Sequence, residues 1–592
     1  MRDEGRAERW AVAVLLGASL LLDFVGLRWG LPNDDGIWST DALTPMAPLA
    51  AAYRLIGSGW NSGWFYYKYP LGHPLLLAVV YAPYLALLKL TGGLGHASSD
   101  YPYGFTDPSQ SLFVLALLGR AVSAAMTTGA VLFWYLACRE LLGWRRAWLA
   151  AWFLATAFPV VFYAHTTNVD AALLFWCSIA VYGAARVFTR EGDRLGMLVF
   201  GAAASMALST KEYALGLMVS LALLMFGRQL MRRRASASAP WLPPGWLAGL
   251  ALSIAVFVVM NGIVVNPLGM WHRVLFLTDS MPESLRLEYA PRFSHVGSAS
   301  LKDSATEIAQ LLSTLRESAD SIGWAAALAA GVGLIFFGWR LPGLFFALAA
   351  LGYYFASLRS LEMLQVRYVL PLSMLATALA AQTVGALAQA SSRRLGAAGG
   401  LAIAGAFAVY SAACGLDATR LLLADTRYQA EAWMAANARE ASVEVYQREA
   451  YLPRFLPTQE VDRVEFDEVS TTAFLSRQPE IVVLSSAGLA GVTVRFKNDL
   501  AGDGDEGERT VSKQGASGEA MAYEYTRNRN FLDALEKGCL GYELAAHFES
   551  SPWLAKATVP SLAPTIRVYR RTPGAAVEGG SETCRQLRSA AG

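Results

Sequence analysis

Eleven apolar runs constrain this chain more than any other feature. They cover 10–27, 112–138, 147–163, 171–188, 195–209, 213–228, 246–265, 322–339, 341–357, 368–388 and 396–414. A bilayer core takes roughly 20 apolar residues per helical crossing. The runs therefore predict a polytopic α-helical membrane protein with about eleven transmembrane helices. Composition agrees: 54% of the residues are hydrophobic and 16% are charged, where soluble chains carry about 25% charge. The first run follows Arg2, Arg6 and Arg9. It is long and lacks a small-residue cleavage site, so it reads as a retained helix. A net charge of +2 gives no global basic field, which argues against nucleic acid as a partner.

A further run, 72–90, is ambiguous because it holds His73, Pro74, Pro83 and Lys89, and proline interrupts helical hydrogen bonding. Charge decides it. Suppose 72–90 does not cross and the N-terminus is cytoplasmic. The cytoplasmic loops then collect Arg139, Arg145, Arg146, Arg186, Arg190, Arg194, Arg228, Arg232, Arg233, Arg234, Arg340, Arg393 and Arg394. The short outer loops keep only Lys211, Arg359 and Arg367, with five more basic residues in the long loop 266–320. Basic residues near membrane ends favour the cytoplasmic side. The expected arrangement is a membrane domain, 1–415, with outer loops 28–110 and 266–320, and with 72–90 lying at or dipping into the outer surface.

Residues 416–592 read as a small extracytoplasmic α/β domain. Apolar strands at 443–446, 481–485, 542–548 and 565–569 alternate with helical patterns such as 428–438. A polar, Gly-rich insertion near 501–519 is expected to be mobile. Cys138, Cys177 and Cys414 sit in apolar runs, whereas Cys539 and Cys584 fall in the outer domain. These two are expected to pair, because an oxidising compartment permits it.

This orientation gathers polar groups on one face. They are "LPNDDGIWSTDALTP" (31–45) with Asp34, Asp35 and Asp41, "HTTNVD" (165–170), "STKEY" (209–213) and "RYVLP" (367–371). Ionisable residues at a membrane edge are functional candidates. The order of "KYPLGHP" (68–74), Gly119–Arg120, "YAHTTNVDAALLFW" (163–176), "STKE" and "RYVLPL" (367–372) resembles the polyprenyl-phosphate-sugar-dependent membrane glycosyltransferases. That group includes the dolichyl-phosphate-mannose protein mannosyltransferases and the bacterial aminoarabinose transferases that modify lipid A. The likeness spans 10–415 and, more loosely, "DTRYQAEAWM" (425–434) and "PEIVVLSS" (479–486).

The resemblance implies the GT-C membrane fold and an inverting glycosyltransferase of the cytoplasmic (inner) membrane. It would move a sugar from a polyprenyl phosphate, in bacteria undecaprenyl phosphate, to a lipid, glycan or protein acceptor on the outer face. A carboxylate in the first outer loop is expected to act as base. Aligned on Trp38 and Pro45, Asp41 takes that place, and Ala42 stands where the family has Glu. This keeps Asp34 and Asp35 as candidates for base or metal ligand. Asp170 matches a family Asp that orients the acceptor or helps hold metal. Lys211 and Arg367 match basic positions for the donor phosphate, and Lys68 resembles the family's Lys-Pro, displaced by one residue. His165, Glu212 and Arg120 are secondary candidates.

The chemistry asks for these groups independently. Glycosyl transfer needs a base roughly 2.6–3.2 Å from the attacking oxygen and cations to neutralise the leaving phosphate. No organic cofactor is implied. A divalent metal is compatible with the carboxylates, although no His–Cys spacing resembles a zinc site. Plainer roles compete. Asp34 and Asp35 suit a solvated turn, Asp41 and Asp170 suit helix N-caps, and Lys211 and Arg367 suit lipid-headgroup anchors. His73 and His165 suit structural hydrogen bonding, and the aromatic run 63–69 suits an interfacial belt. Two rival readings concern the whole chain: a transporter or flippase for a lipid-linked glycan, and a non-catalytic assembly protein of the same fold. A transporter predicts midplane charges and broken helices in repeated halves. Charges crowded at the outer ends, with no repeat, favour the enzyme.

Overall fold

The computed structural model describes residues 2–32, 38–39, 42–98, 101–236, 238–278, 280, 304–359, 361, 364–447, 449–464, 469–486, 529–557, 559–572, 584 and 586. All eleven apolar runs are helical over most of their length. Among the described residues, six helices are long and apolar enough to cross a membrane, or seven if one bent pair counts as a single span. That pair, Trp144–Ala155 and Phe158–Ala164, turns by 63°, and Pro159 starts the second member, where a missing N–H costs no helical bond. Three apolar helices are shorter: Arg194–Leu208, Trp246–Met260 and Trp324–Phe337. Runs 368–388 and 396–414 form one stretch, Leu370–Leu423, broken by non-helical backbone at Gly396 with φ +76°, which glycine adopts without strain.

The ambiguous run forms the helix Gly72–Thr91, with Pro83 inside it and left-handed Gly92 after it. Its length and apolarity also suffice for a crossing.

Close helix packing rests on small residues. A Cβ on Gly201 would stand 2.2 Å from the Gly249 carbonyl oxygen, and one on Gly249 would stand 2.7 Å from that of Met197. Helices Arg194–Leu208 and Trp246–Met260 therefore touch backbone to backbone. Ser205 Oγ and Ser253 Oγ lie 2.7 Å apart in the same contact. Lipid is as apolar as a leucine side chain, so close approach and interhelical hydrogen bonds hold such pairs.

The chain divides into two units. One comprises Met1–Ile37, Asp41–Arg420 and Pro552–Val559; the other comprises Trp38–Thr40, Leu421–Ser551 and Pro560–Gly592. The second unit holds a mixed sheet of β1 (Ser442–Val445), β2 (Glu460–Arg463), β3 (Ile481–Ser485), β4 (Tyr542–Phe548) and β5 (Ile566–Arg571). The strand order is β2-β1-β3-β5-β4. β1 runs parallel to β2 and β3, and β5 runs antiparallel to β3 and β4. Four strands coincide with the apolar runs; β2 reads "EVDR" and is mostly exposed, so no apolar signal marks it.

Alternate residues of the central strands face opposite layers, as the pleat requires. Val443, Ile481, Val483 and Ile566 pack with Ala430 and Met434 of helix Thr426–Asn437. Val482, Leu484 and Tyr569 pack with Phe474 and Leu535. Cys539 and Cys584 form a disulfide across 45 residues of sequence, and Cys138, Cys177 and Cys414 are buried free thiols. The insertion 501–519 lies outside the described residues.

Gly201→Val should force the two touching helices apart and cost about 1–3 kcal/mol, the usual range for overpacking. The thermal midpoint in detergent should fall; an unchanged midpoint contradicts backbone contact at this crossing.

Candidate active site

Three of the quoted motifs meet around one aromatic ring. Helix Val169–Thr189 starts with Asn168 at its cap, where no side chain caps it, and carries Asp170 in its first turn. The capping alternative for Asp170 is thereby set aside, and the positive helix end favours its carboxylate. Lys211 follows the helix Arg194–Leu208 in a turn where its amide donates to Ala207 O at 2.9 Å. Lys211 Nζ donates to Asp170 Oδ1 at 2.7 Å, and both side chains are buried. Such burial does not suit a lipid-headgroup anchor. Asp170 Oδ2 is also buried and has no hydrogen-bond partner among the described residues.

The Lys211 ammonium lies 4.6 Å from the centroid of the Tyr368 ring and 5.7 Å from that of Tyr213. The Arg367 guanidinium lies 5.0 Å from the Tyr368 centroid, and its Nη2 donates to the Tyr368 hydroxyl at 3.3 Å. Tyr353 Oη donates to Tyr368 O at 2.8 Å, and Ser357 Oγ donates to Tyr213 O at 2.7 Å. These two bonds fix the tyrosine backbones against the span 341–358. Tyr213 and Tyr368 stand beside Lys211 and Arg367 in the quoted motifs. In the sequence, only their adjacency to those cations marks them.

The glycine of "KYPLGHP" has a physical reason. Gly72 N donates to Ser209 O at 2.8 Å, and a Cβ at this position would stand 2.5 Å from that oxygen. Asn261 Nδ2 donates to Ser209 Oγ at 2.8 Å. The turn that carries Lys211 is thus clasped from two sides. Lys68 lies partly buried in a bend before Gly72.

Glu212 is paired with Arg273. It accepts from Arg273 Nε at 2.8 Å and also from Arg273 Nη2, while Arg273 Nη1 donates to Tyr66 O. Arg273 was counted only as loop charge in the sequence. Burial pushes the Tyr66 hydroxyl up to about 12, aided by Tyr67 and opposed by Arg273. Asn266 holds the aromatic run: its Oδ1 accepts from Gly63 N at 3.0 Å and its Nδ2 donates to Trp64 O at 2.6 Å.

Arg120 and His165 both bind main-chain carbonyls. Arg120 Nη1 donates to Leu27 O at 2.7 Å and to Trp29 O at 2.5 Å. The His165 ring nitrogens lie 2.7 Å from Val25 O and Val161 O. Both residues therefore hold the chain that leaves the first helix, whose end exposes unpaired carbonyls. His165 is structural, as the plainer reading has it. His73 is buried, and neither ring nitrogen has a hydrogen-bond partner among the described residues.

Asp34, Asp35 and Asp41 lie outside the described residues. Helix Met46–Gly57 begins after Pro45, with no side-chain cap, so the following helix does not use Asp41 as its N-cap. Two residues past Asp41, Leu43 N donates to Thr167 O at 3.3 Å and Leu43 O accepts from Thr167 Oγ1 at 2.6 Å. Leu43 is thus pinned to the turn that carries Asp170. Among the described residues, no three His, Cys, Asp or Glu side chains group as a metal site.

Asp170→Asn should leave the Lys211 ammonium buried without a counter-charge. The expected destabilisation is about 3–5 kcal/mol, read as a lower thermal midpoint in detergent. The double variant Asp170→Leu/Lys211→Met should lie closer to wild type than Asp170→Asn; additive losses contradict a coupled pair.

Residues 67–242 match the sequence profile of a family described as dolichyl-phosphate-mannose-protein mannosyltransferase. No curated protein matches the chain. Among solved structures, ArnT from Cupriavidus metallidurans bound to undecaprenyl phosphate is similar at 15% identity and TM-score 0.42, over 81% of this chain and 94% of that one. The Archaeoglobus fulgidus oligosaccharyltransferase in complex with Zn and sulfate is similar at 13% identity and TM-score 0.41, over 74% of this chain and 60% of that one. The S. cerevisiae protein O-mannosyltransferase Pmt1-Pmt2 complex bound to the sugar donor is similar at 18% identity and TM-score 0.31, over 47% of this chain and 37% of that one. The stretch that holds "KYPLGHP", "HTTNVD" and "STKEY" thus carries the sequence pattern of the dolichyl-phosphate-mannose-protein mannosyltransferases, a family of membrane glycosyltransferases.

Proposed function

We propose that this protein is an integral-membrane, inverting glycosyltransferase that takes a sugar from a polyprenyl phosphate and passes it to an acceptor hydroxyl on the outer face of the membrane. The observation that carries the reading is the meeting of Lys211, Asp170 and Arg367 around Tyr368. Two cations and a carboxylate at helix mouths suit a sugar phosphate held where its lipid leaves the bilayer.

In this mechanism Asp41 accepts the proton of the acceptor hydroxyl. The hydroxyl oxygen attacks the anomeric carbon from the face opposite the phosphate, and the bond from that carbon to the phosphate oxygen breaks. Charge develops on the leaving phosphate, and Lys211 and Arg367 are placed to neutralise it. Asp170 Oδ1 keeps the ammonium aimed, because one of the three lysine donors is committed to it. Its unpartnered Oδ2 is suited to accept from a hydroxyl of the donor sugar or the acceptor. The arginine distribution supports a cytoplasmic N-terminus and an outer C-terminal unit, with Gly72–Thr91 at the outer surface.

The bent pair 144–164 is a feature that a transporter of lipid-linked glycans would also show. Sugar transfer itself separates the two readings.

Membranes supplied with radiolabelled sugar on polyprenyl phosphate should label an acceptor. Asp41→Asn should lower that transfer about 10²–10⁴-fold, the usual contribution of a general base; unchanged transfer removes Asp41 from this role. Arg367→Ala should raise the donor KM more than the acceptor KM, and the opposite ranking contradicts a phosphate role. Topology reporters fused at Gly143 and Ser392 should both report the cytoplasm; an outer signal at either site overturns the orientation.

A further inference from the structure

The aromatic run 63–69 suits an interfacial belt by composition, yet Trp64 and Tyr66 are half-buried and Tyr69 is buried. The run is bolted to the helix Pro267–Leu277 and to the residues just before it. Asn266 binds Gly63 N and Trp64 O. His272 Nδ1 lies 2.7 Å from Gly63 O, and Arg273 Nη1 donates to Tyr66 O. Asn61 N donates to Val265 O at 2.9 Å, and Leu268 N donates to Asn61 Oδ1 at 2.7 Å. The approach is close: a Cβ on Gly269 would stand 2.2 Å from Trp64 O. Rings that only anchor a chain among lipid headgroups need none of these bonds.

Between the run and the helix lies a partly open cleft of about 290 Å³. Trp64, Tyr66 and Tyr69 line it together with the buried side chains of Asn261, Asn266 and Arg273. Ligand sites run from roughly 300 to 1,000 Å³, so the cleft suits one ring rather than a chain. A sugar offers an apolar C–H face to the aromatic rings and hydroxyls to the amide and guanidinium groups. A lipid tail would leave those polar groups unmatched. The cleft borders the turn that carries Lys211. Asn261 Nδ2 donates to Ser209 Oγ at 2.8 Å, and Arg273 is paired with Glu212, the residue after Lys211. All of these residues belong to one unit of the chain.

Charge narrows the sugar. Among the described residues that line the cleft, Arg273 is the ionisable group besides the tyrosines. Its Nε and Nη2 both donate to Glu212 Oε1, so its charge is already answered. A sugar with an ammonium would meet the guanidinium. A sugar with a carboxylate would bring a second anion to a cation already matched. Burying either charge without a partner is costly. We infer that this cleft receives the sugar ring of the donor and that the ring carries no charge. The inference rests on the glycosyltransferase reading and deepens it by naming the class of sugar, a neutral hexose or pentose rather than an amino or acidic one.

The test titrates the full-length protein in detergent with undecaprenyl phosphate that is bare or loaded with mannose, glucose, galactose, aminoarabinose or galacturonate. The best neutral sugar should bind at least about 10-fold more tightly than either charged one. Trp64→Ala keeps the main-chain bonds of residue 64, so the clamp survives. It should weaken the best neutral donor about 10-fold and bare undecaprenyl phosphate by less than about twofold. Arg273→Gln leaves the Glu212 carboxylate unmatched and should improve aminoarabinose, relative to the best neutral sugar, at least about 10-fold. A charged sugar that binds wild type as tightly as every neutral one overturns the inference. So does a Trp64→Ala loss that is equal for bare and loaded lipid, or unchanged donor binding in both variants. Transfer is read separately. Neutral donors that bind as expected but label no acceptor in membranes would overturn the glycosyltransferase reading and leave the sugar cleft standing.

Discussion

A lysine ammonium buried at a membrane edge must be met by a counter-charge, and Asp170 meets Lys211 at 2.7 Å. The two residues are separated by 41 positions, so the pair sets the helix Val169–Thr189 against the turn after Arg194–Leu208. Gly72 and Asn261 then clasp that turn through Ser209. Tyr368 lies against the same ammonium and brings Arg367 with it. A site assembled this way needs no large pocket of its own. It is a junction of short connections between helices, each held by a bond whose loss would leave a buried polar group unmatched.

Much of this was legible because the bilayer imposes a simple rule on sequence. Apolar runs of spanning length had to be helices, and they are. Their division was less legible. The bend between Ala155 and Phe158 and the break at Gly396 depend on local backbone choices that hydropathy does not encode. In the C-terminal unit, β3 is buried on all five residues and announces itself, whereas the edge strand β2 is held by main-chain pairing to β1, to which side-chain polarity is indifferent.

The candidate site divides along the same line. Asp170, Lys211 and Arg367 were legible through the order of their motifs, and they converge. The Glu212–Arg273 pair was not, because a contact across 61 positions leaves no local trace. Arg120 and His165 have residue types and motifs that suit a site, and both also bond backbone carbonyls at the end of the first helix. A charged or imidazole group at a helix mouth answers unpaired carbonyls as readily as it answers a substrate. Sequence alone does not separate those uses. His73, by contrast, is a buried imidazole without a hydrogen-bond partner among the described residues, and spacing gives no hint of that.

One test bears most directly on the claim that a base and two cations converge on a lipid's phosphate. A structure determined with bound polyprenyl phosphate would measure it. The account requires the phosphate oxygens about 2.7–2.9 Å from Lys211 Nζ or an Arg367 nitrogen, with the Asp41 carboxylate on the opposite side of the anomeric position. A phosphate seated at another helix mouth, with Lys211 still bound only to Asp170, would contradict it.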